Sequence, residues 1–486
     1  MSRVVMFVYN DVRTDARVLR EAAALADAGH SVTVIGRPSN PTSRVADTET
    51  RGQVTILRVP IPGGWRILLA FIRHPWRLAR WVALRILGGV KSLPGGIGEL
   101  LLGLGVGVAA VPWSVVRLPF FVLGRALGRR PPPGGSLLDW LVRWRWATLG
   151  WADNAAAAAG PADVYHGHDL TGLPAAVLAR ARNGSGAVVY DSHEIFLESG
   201  TNATRPRWIK RLFARLERRW AAEAAGVVTV NDALAGELRT RLGARDVTVV
   251  HNCPPRWTPP AAPEDHLRPA AGIPAGTPLA LYHGGFSAHR GLEQLADAIL
   301  VPGMEGVHSA YLGYGSLRAD LDRMAADPRY GGRLHVLDAV PPDQLVDWVS
   351  GADVDVMALQ PSTLNHYLST PNKLFESLAA GVPVVASDFP DLHRVVVDNP
   401  SGPLGEVCDP GDAASIAAAI RRVLDAPEDE RCALRARCLA AAHDRWNWEH
   451  ESAALLALYA RLTGGDAASS GGDGPGGDAP GAGVPA

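Results

Sequence analysis

The chain has 486 residues, 47% hydrophobic and 20% charged. At roughly 100–200 residues per domain, this length predicts two or three domains with ample core and excludes wholesale disorder. A formal charge of −1 excludes a general nucleic-acid binder. It also hides an asymmetry: residues 63–150 hold 12 Lys and Arg against two acids, Glu99 and Asp139, and seven of the 14 Trp.

The opening Arg3-Val-Val-Met-Phe-Val-Tyr9 is too short for a secretory h-region and reads as a first strand, Val4–Tyr9. A cytoplasmic chain with reduced thiols is expected, because Cys253, Cys408, Cys432 and Cys438 lack metal-ligand spacing. The sequons at Asn183 and Asn202 are then expected to stay unglycosylated. A helix over Arg17–Ala28 carries Val18, Ala22, Leu25 and Ala26 on one side, and Gly29 closes it. Strands at Ser31–Ile35 and Val54–Val59 follow. Continuous apolar strands alternating with helices predict a parallel, doubly wound sheet.

Residues 63–150 break that alternation and read as a basic, apolar, helical insertion. Arg66, Arg73, Arg77 and Arg80 share one helical face; Trp65, Leu69, Ile72, Trp76, Ala83 and Leu87 favour the other. Leu100–Val116 is 17 residues without a charge, the lower limit for a span. Basic, Trp-rich flanks suit an anionic membrane surface, on which the insertion would lie, into which it would dip or which it would span. A helical insertion packed on the first domain fits the same residues.

The alternation resumes with strands Asp163–His166, Ala187–Tyr190, Val227–Val230 and Val247–Val250, and with helices at Pro174–Arg182 and Ala233–Leu242. The proline-rich stretch after Cys253 predicts a linker over 259–278. A second set of strands follows at Leu279–His283, His308–Leu312, Leu334–Leu337, Val354–Met357, Val382–Ala386 and Gly405–Cys408, before a helix at Ala413–Leu424. The domains are thus 1–258 and 279–444. A final helix, Arg445–Leu462, is expected to return to the first domain, and 464–486 reads as a disordered tail.

Ligands of open α/β sheets bind beyond the carboxyl ends of the strands. After the first strand, Asn10-Asp11-Val12-Arg13-Thr14-Asp15 has no glycine, which argues against a dinucleotide cofactor; no P-loop pattern occurs either. Two His/acid clusters end successive strands: His166-Gly167-His168-Asp169 and Asp191-Ser192-His193-Glu194. Imidazole there can donate a hydrogen bond or shuttle a proton, and the acids also suit helix caps. In the second domain, Gly284-Gly285 lets a ligand approach the backbone, and Arg290 adds fixed positive charge ahead of a helix. Gly315 and Ser316 repeat the arrangement, which suits a diphosphate. Pro371-Asn372-Lys373-Leu374-Phe375-Glu376 then opens a helix whose Glu376 suits a ribose diol.

This last stretch resembles the C-terminal signature of family 4 glycosyltransferases, and the likeness runs from Arg3 to about Leu462, the insertion excepted. The resemblance implies a GT-B fold, two Rossmann-like domains facing a cleft, and a nucleotide-diphosphate sugar as co-substrate. It also implies retention of configuration and no metal or other cofactor. On it, Glu376 is the ribose-binding glutamate, Gly315 and Ser316 a phosphate-side loop, and Arg290 the cation at the diphosphate. His193 stands near the donor sugar, with Asp169 and Glu194 beside it as catalytic candidates; Gly284, Gly285, Asn372 and Lys373 complete the donor set. Two positions depart: Leu368 stands where the family often has a second glutamate, and Gly285 where it has an arginine. The expected reaction is sugar transfer to a glycan or lipid-linked acceptor. A sugar-nucleotide epimerase of the same shape and a non-catalytic nucleotide-sugar binder are the alternatives.

Overall fold

The computed structural model describes residues 1–40, 43, 45–62, 137–260 and 264–464. The insertion up to residue 136 and the tail beyond Gly464 lie outside them.

The first sheet contains β1 (Arg3–Phe7), β2 (Ser31–Gly36), β3 (Asp47–Arg51), β4 (Val54–Arg58), β5 (Val164–His168), β6 (Ala187–Ser192), β7 (Gly226–Thr229) and β8 (Val247–Val249). Their order is β3-β4-β2-β1-β5-β6-β7-β8. All pairs are parallel except β3 with β4. β1 shows why its sequence is an unbroken apolar run. Val5 and Phe7 pack among Trp151, Tyr165 and Ala176, while Val4 and Met6 pack on the opposite face with Val18, Ala22 and Leu25. All four are fully buried, as a central strand covered by helices on both sides requires. The helix Ala16–Asp27 starts at Asp15, whose side chain accepts from the Val18 amide. It ends before Gly29, at φ +89°. On the other face, the helix Asp169–Asn183 lies so close to β1 that a Cβ on Gly172 would stand 2.3 Å from the Phe7 carbonyl oxygen.

Four elements differ from the sequence-based expectation. β3 is new: Asp47-Thr-Glu-Thr-Arg51 has no apolar pattern because it is an exposed edge, held by the turn at Gly52. Residues 137–150 are not part of a separable insertion. They run through Leu137–Val142 and a π-helical turn, Arg143–Thr148, into the helix Leu149–Ala159. Trp140 and Trp144 pack around Phe213 and Leu170, and the fully buried Trp151 donates to the Gly36 carbonyl at 3.1 Å. The helix Arg207–Ala221 buries Ile209, Phe213, Glu217 and Ala221, a stripe at four-residue spacing that its six basic residues mask. Part of the predicted linker belongs to the second domain: Leu267–Ala271 is helical, Leu267 packs with Leu279 and Leu281, and Arg268 pairs with Asp265 and Asp353.

The second sheet is wholly parallel, with β9 (Leu279–Phe286), β10 (His308–Gly315), β11 (Leu334–Asp338), β12 (Val354–Met357), β13 (Val384–Ser387) and β14 (Gly405–Cys408) in the order β11-β10-β9-β12-β13-β14. The chain crosses back to the first domain within three residues. Trp446 packs with Cys253 and Phe375, whereas Trp448 packs in the cluster of Val4 and Met6. Asn447, between them, caps the final helix Trp448–Thr463 by accepting from the His450 amide. That cap places the helix start three residues after the expected Arg445, and Leu455, Leu458 and Tyr459 lie on the first sheet.

Candidate functional site

The two sheets present their carboxyl ends to a shared cleft. A cavity of about 470 Å³ there is lined by Asn10, Asp15, Arg17 and His193 from the first domain, and by Ser369, Thr370 and Asn372 from the second. Asn231 donates to the Leu368 carbonyl and the Thr370 hydroxyl, and Asn252 to Asn372, so side-chain amides tie the walls together. Another groove, of about 420 Å³ and lined by Arg268, Asp353 and Cys432, opens at the amino ends of β9 and β12. Strand polarity favours the first. Strain points the same way. The non-glycine residues with positive φ among the described residues are Val12 (+68°), Asp169 (+53°) and His289 (+68°). They follow β1, β5 and β9, the strands that face the cleft. A β-branched residue in that region costs on the order of 1–3 kcal/mol and persists only where the surroundings enforce it.

On the first-domain wall the centre is Asp191, fully buried at the end of β6. Arg17 donates to its two oxygens at 3.1 and 3.0 Å, and His193 Nε2 lies 2.8 Å from Oδ2. Burial alone would raise the Asp191 pKa, but Arg17 and His193 outweigh it and hold the carboxyl well below its usual range. Asp169 accepts from the His193 amide at 3.0 Å and approaches Nδ1 at 3.5 Å. Burial opposes a charged His193, yet Asp169 and Asp191 together push its pKa up to about 10. His168, with Nδ1 3.2 Å from His193 Nε2, is driven the other way, down to about 3, by burial and by His166. One ring of the pair is therefore cationic and the other neutral. Glu194 has its pKa raised by burial and by Asp169, and its Oε2 lies 3.4 Å from Asn365 Nδ2 of the second domain.

Arg17 escaped the sequence reading. The available sign was its four-residue spacing to Glu21, on the side of the helix that buries Val18, Ala22 and Leu25. Glu21, His166, His168 and Asp191 bring possible ligand atoms within 4.8 Å of one another. Arg17 already sets its guanidinium against both carboxylates of that group, so a cation there would meet a fixed positive charge.

On the second-domain wall, β9 and β10 end side by side, with Gly284 opposite Gly313 and Phe286 opposite Gly315. A Cβ on Gly313 would stand 1.9 Å from the Gly284 carbonyl oxygen, and Gly284 has φ +113°; both positions exclude side chains. Gly315 and Ser316 are exposed beside them. Lys373 reaches the same loop from the helix Asn372–Ala379, its Nζ 3.3 Å from the Tyr282 ring centroid. Burial, reinforced by the Arg290 charge and opposed by Asp355, pushes its pKa down to about 7. Among the described residues Arg290 makes no ion pair, and its charge reaches Glu194 across the cleft as well as Lys373. Glu376, one turn beyond Asn372, keeps 24% of its side chain exposed. The expected residues thus gather on two walls: Asp169, His193 and Glu194 on one, and Gly284, Gly285, Arg290, Gly315, Ser316, Asn372, Lys373 and Glu376 on the other.

Residues 277–426 match the family described as glycosyl transferases group 1, and residues 14–92 and 95–253 match the glycosyl transferase 4-like domain. The second match runs through most of 63–150, which the sequence reading had set apart. The chain is 31% identical over 257 residues to D-inositol 3-phosphate glycosyltransferase of Xylanimonas cellulosilytica, covering 49% of this chain and 58% of that protein. It is 28% identical over 254 residues to 2-deoxystreptamine glucosyltransferase of Streptomyces kanamyceticus, covering 51% and 63%. The matched part spans less than two thirds of either relative. Among solved structures, sucrose-phosphate synthase from Thermosynechococcus elongatus superposes with a TM-score of 0.62 at 17% identity, over 96% of this chain and 100% of that one. An Anabaena protein in complex with UDP and glucose gives 0.57 at 13%, over 95% and 100%. At such identities the likeness establishes the fold: two parallel-sheet α/β domains of the GT-B type.

Proposed function

Because the chain belongs to the family 4 glycosyltransferases, we propose that it transfers a sugar from a nucleotide-diphosphate sugar to a glycan or lipid-linked acceptor, with retention of configuration. The observation that carries this reading is the pair of basic side chains, Arg290 and Lys373, converging on a strand end that glycines keep open. Both would meet the diphosphate. Lys373 reaches to 3.7 Å of the position a Gly284 Cβ would take. It therefore brings positive charge, from a different element, to the loop where Gly285 replaces the arginine usual in such enzymes. Glu376 would accept the ribose diol. His193, kept cationic by two carboxylates, would oppose the negative charge that grows on the departing diphosphate. With Arg290 and His193 cationic and Lys373, whose pKa lies at about 7, able to take up a proton beside an arriving diphosphate, the transfer is expected to need no divalent metal.

The test is a panel of UDP-, GDP- and ADP-sugars assayed for donor hydrolysis and for transfer to sugar acceptors, with and without EDTA. One donor should be consumed in both conditions, and proton NMR of the product should show the donor's anomeric configuration. Binding without turnover of any donor would leave a nucleotide-sugar binder. An inverted product would remove the retaining mechanism.

The reading extends to an anionic membrane that would present the acceptor. Among the described residues no helix is long and apolar enough to cross a membrane. The helix Arg207–Ala221 adds an outward basic face with Arg211 and Arg215, on which Trp208 is 58% and Leu212 43% exposed; Trp146 is 44% exposed. Each basic residue near an anionic surface contributes up to about 1 kcal/mol, and salt screens only that part. The protein should therefore co-sediment with phosphatidylglycerol vesicles at low salt and less, though still measurably, in 1 M NaCl. Recovery wholly in the low-salt supernatant would sink the membrane extension while leaving the transfer reading intact.

A further inference from the structure

Behind Glu376 lies a buried polar chain that the proposed reaction does not use. His283 is the last residue of the apolar run of β9, fully buried, immediately before Gly284. Its Nε2 lies 3.1 Å from Glu376 Oε2 and its Nδ1 3.3 Å from Asp355 Oδ2. Asp355 is fully buried on β12, and Ser377 donates to the same Oδ2 at 2.7 Å. The ring thus bridges a carboxylate fixed inside the sheet to one at the cleft surface. Glu376 Oε1 makes no hydrogen bond among the described residues.

We propose that His283 is a positioning residue that clamps Glu376 by one oxygen and leaves the other for a ribose diol. The inference rests on the ribose reading of Glu376 and adds the group that makes this carboxylate selective. A glutamate on a helix surface samples many rotamers, and a ligand that freezes them loses affinity; a side chain restrained beforehand avoids that loss. A carboxylate has about four acceptor positions, so one bond to His283 leaves room for two hydroxyls. The clamp is charged: burial disfavours the imidazolium, but Asp355 and Glu376 together hold its pKa up to about 9. The imidazolium therefore holds the Glu376 carboxylate in place at neutral pH.

The probes are UDP, GDP and ADP, each against its 2′,3′-dideoxy counterpart, measured by calorimetry on the full chain. The wild type should prefer the diol ligand about ten- to a hundredfold. His283→Asn is too short to reach Glu376 and should shrink that preference about tenfold while leaving dideoxy binding unchanged. His283→Gln carries an amide N–H close to the Nε2 position and should restore most of it. Both substitutions are polar and smaller than or similar to histidine, and thermal melts check that each folds. An Asn variant with the wild-type preference, or one that loses both ligands equally, overturns the clamp, and so does a Gln variant no better than Asn. A wild type that binds none of the three diphosphates, or a Glu376→Ala variant that keeps the full diol preference, defeats the ribose reading itself and the clamp with it.

Discussion

Glu376→Ala should weaken binding of the cognate nucleoside diphosphate about ten- to a hundredfold while leaving the melting temperature nearly unchanged. The affinity side follows from the charge. Hydrogen bonds to an ionised group contribute about 1.5–3 kcal/mol, and each 1.4 kcal/mol is a factor of ten in Kd. Alanine leaves the ribose hydroxyls facing a partly desolvated wall with nothing to accept from them. The stability side follows from exposure. A quarter of the Glu376 side chain is open to solvent (24%), and its ion-pair partner, His283, keeps Asp355. Removing a carboxylate that is a quarter open, from a partner that keeps another counter-charge, is unlike removing the sole partner of a buried charge. Calorimetry on a variant with a wild-type melt decides the matter; equal affinity for the diphosphate would take Glu376 out of the site.

How far the site was legible depended on where each residue stands relative to a strand. Asp191, His193, Glu194, Gly284, Gly285 and Arg290 follow the ends of apolar runs, where a polar residue has no packing explanation, and these were read. His283 and Asp355 lie within such runs, one residue or more before the break, and were absorbed into the strand pattern. Arg17 and Glu21 were lost because a four-residue Arg/Glu pair ordinarily marks a solvated helix face. Here the pair turns inward, since Arg17 finds Asp191 and the Val250 carbonyl beneath it. The fold shows the same division. β1, β9, β10, β12 and β13 were legible because burial on both faces demands continuous apolar sequence. β3 has no buried face and left no pattern. Leu137–Ala159 was hidden by local composition: the tryptophans and arginines that read as a membrane surface include Trp140 and Trp144, which are buried in the first domain.

The same inward pair gives the largest expected loss of stability, at Asp191→Asn. Removing one partner of a buried ion pair costs about 3–5 kcal/mol, because the other charge stays desolvated without compensation. Arg17 keeps only 4% of its side chain exposed and cannot reach water without leaving the sheet. For a domain of this size the loss corresponds to a melting temperature lower by roughly 6–20 °C. The pH dependence carries a sign that an ordinary packing defect would not. Glu21, the other carboxylate at Arg17, has its pKa raised to about 8 in the wild type, chiefly by burial and in part by Asp191; losing the Asp191 charge lowers it, so below pH 8 Glu21 ionises more readily in the variant and the gap narrows as pH rises toward 8. His193 has its pKa raised to about 10. Its contribution in the wild type is fully present below its unfolded value near 6.5 and disappears as pH rises through 10. Asp191 itself is depressed, so its contribution is lost only well below the usual carboxylate range and stays constant over this interval. Both moving parts act in one direction: the gap between wild type and Asp191→Asn should be widest near pH 6 and narrower at pH 9.5. Melts at those two values test it. A gap of a degree or two at pH 6 would show that Arg17 is not held by Asp191, and a gap that widens with pH would mean that His193 and Glu21 do not carry the charges assigned to them.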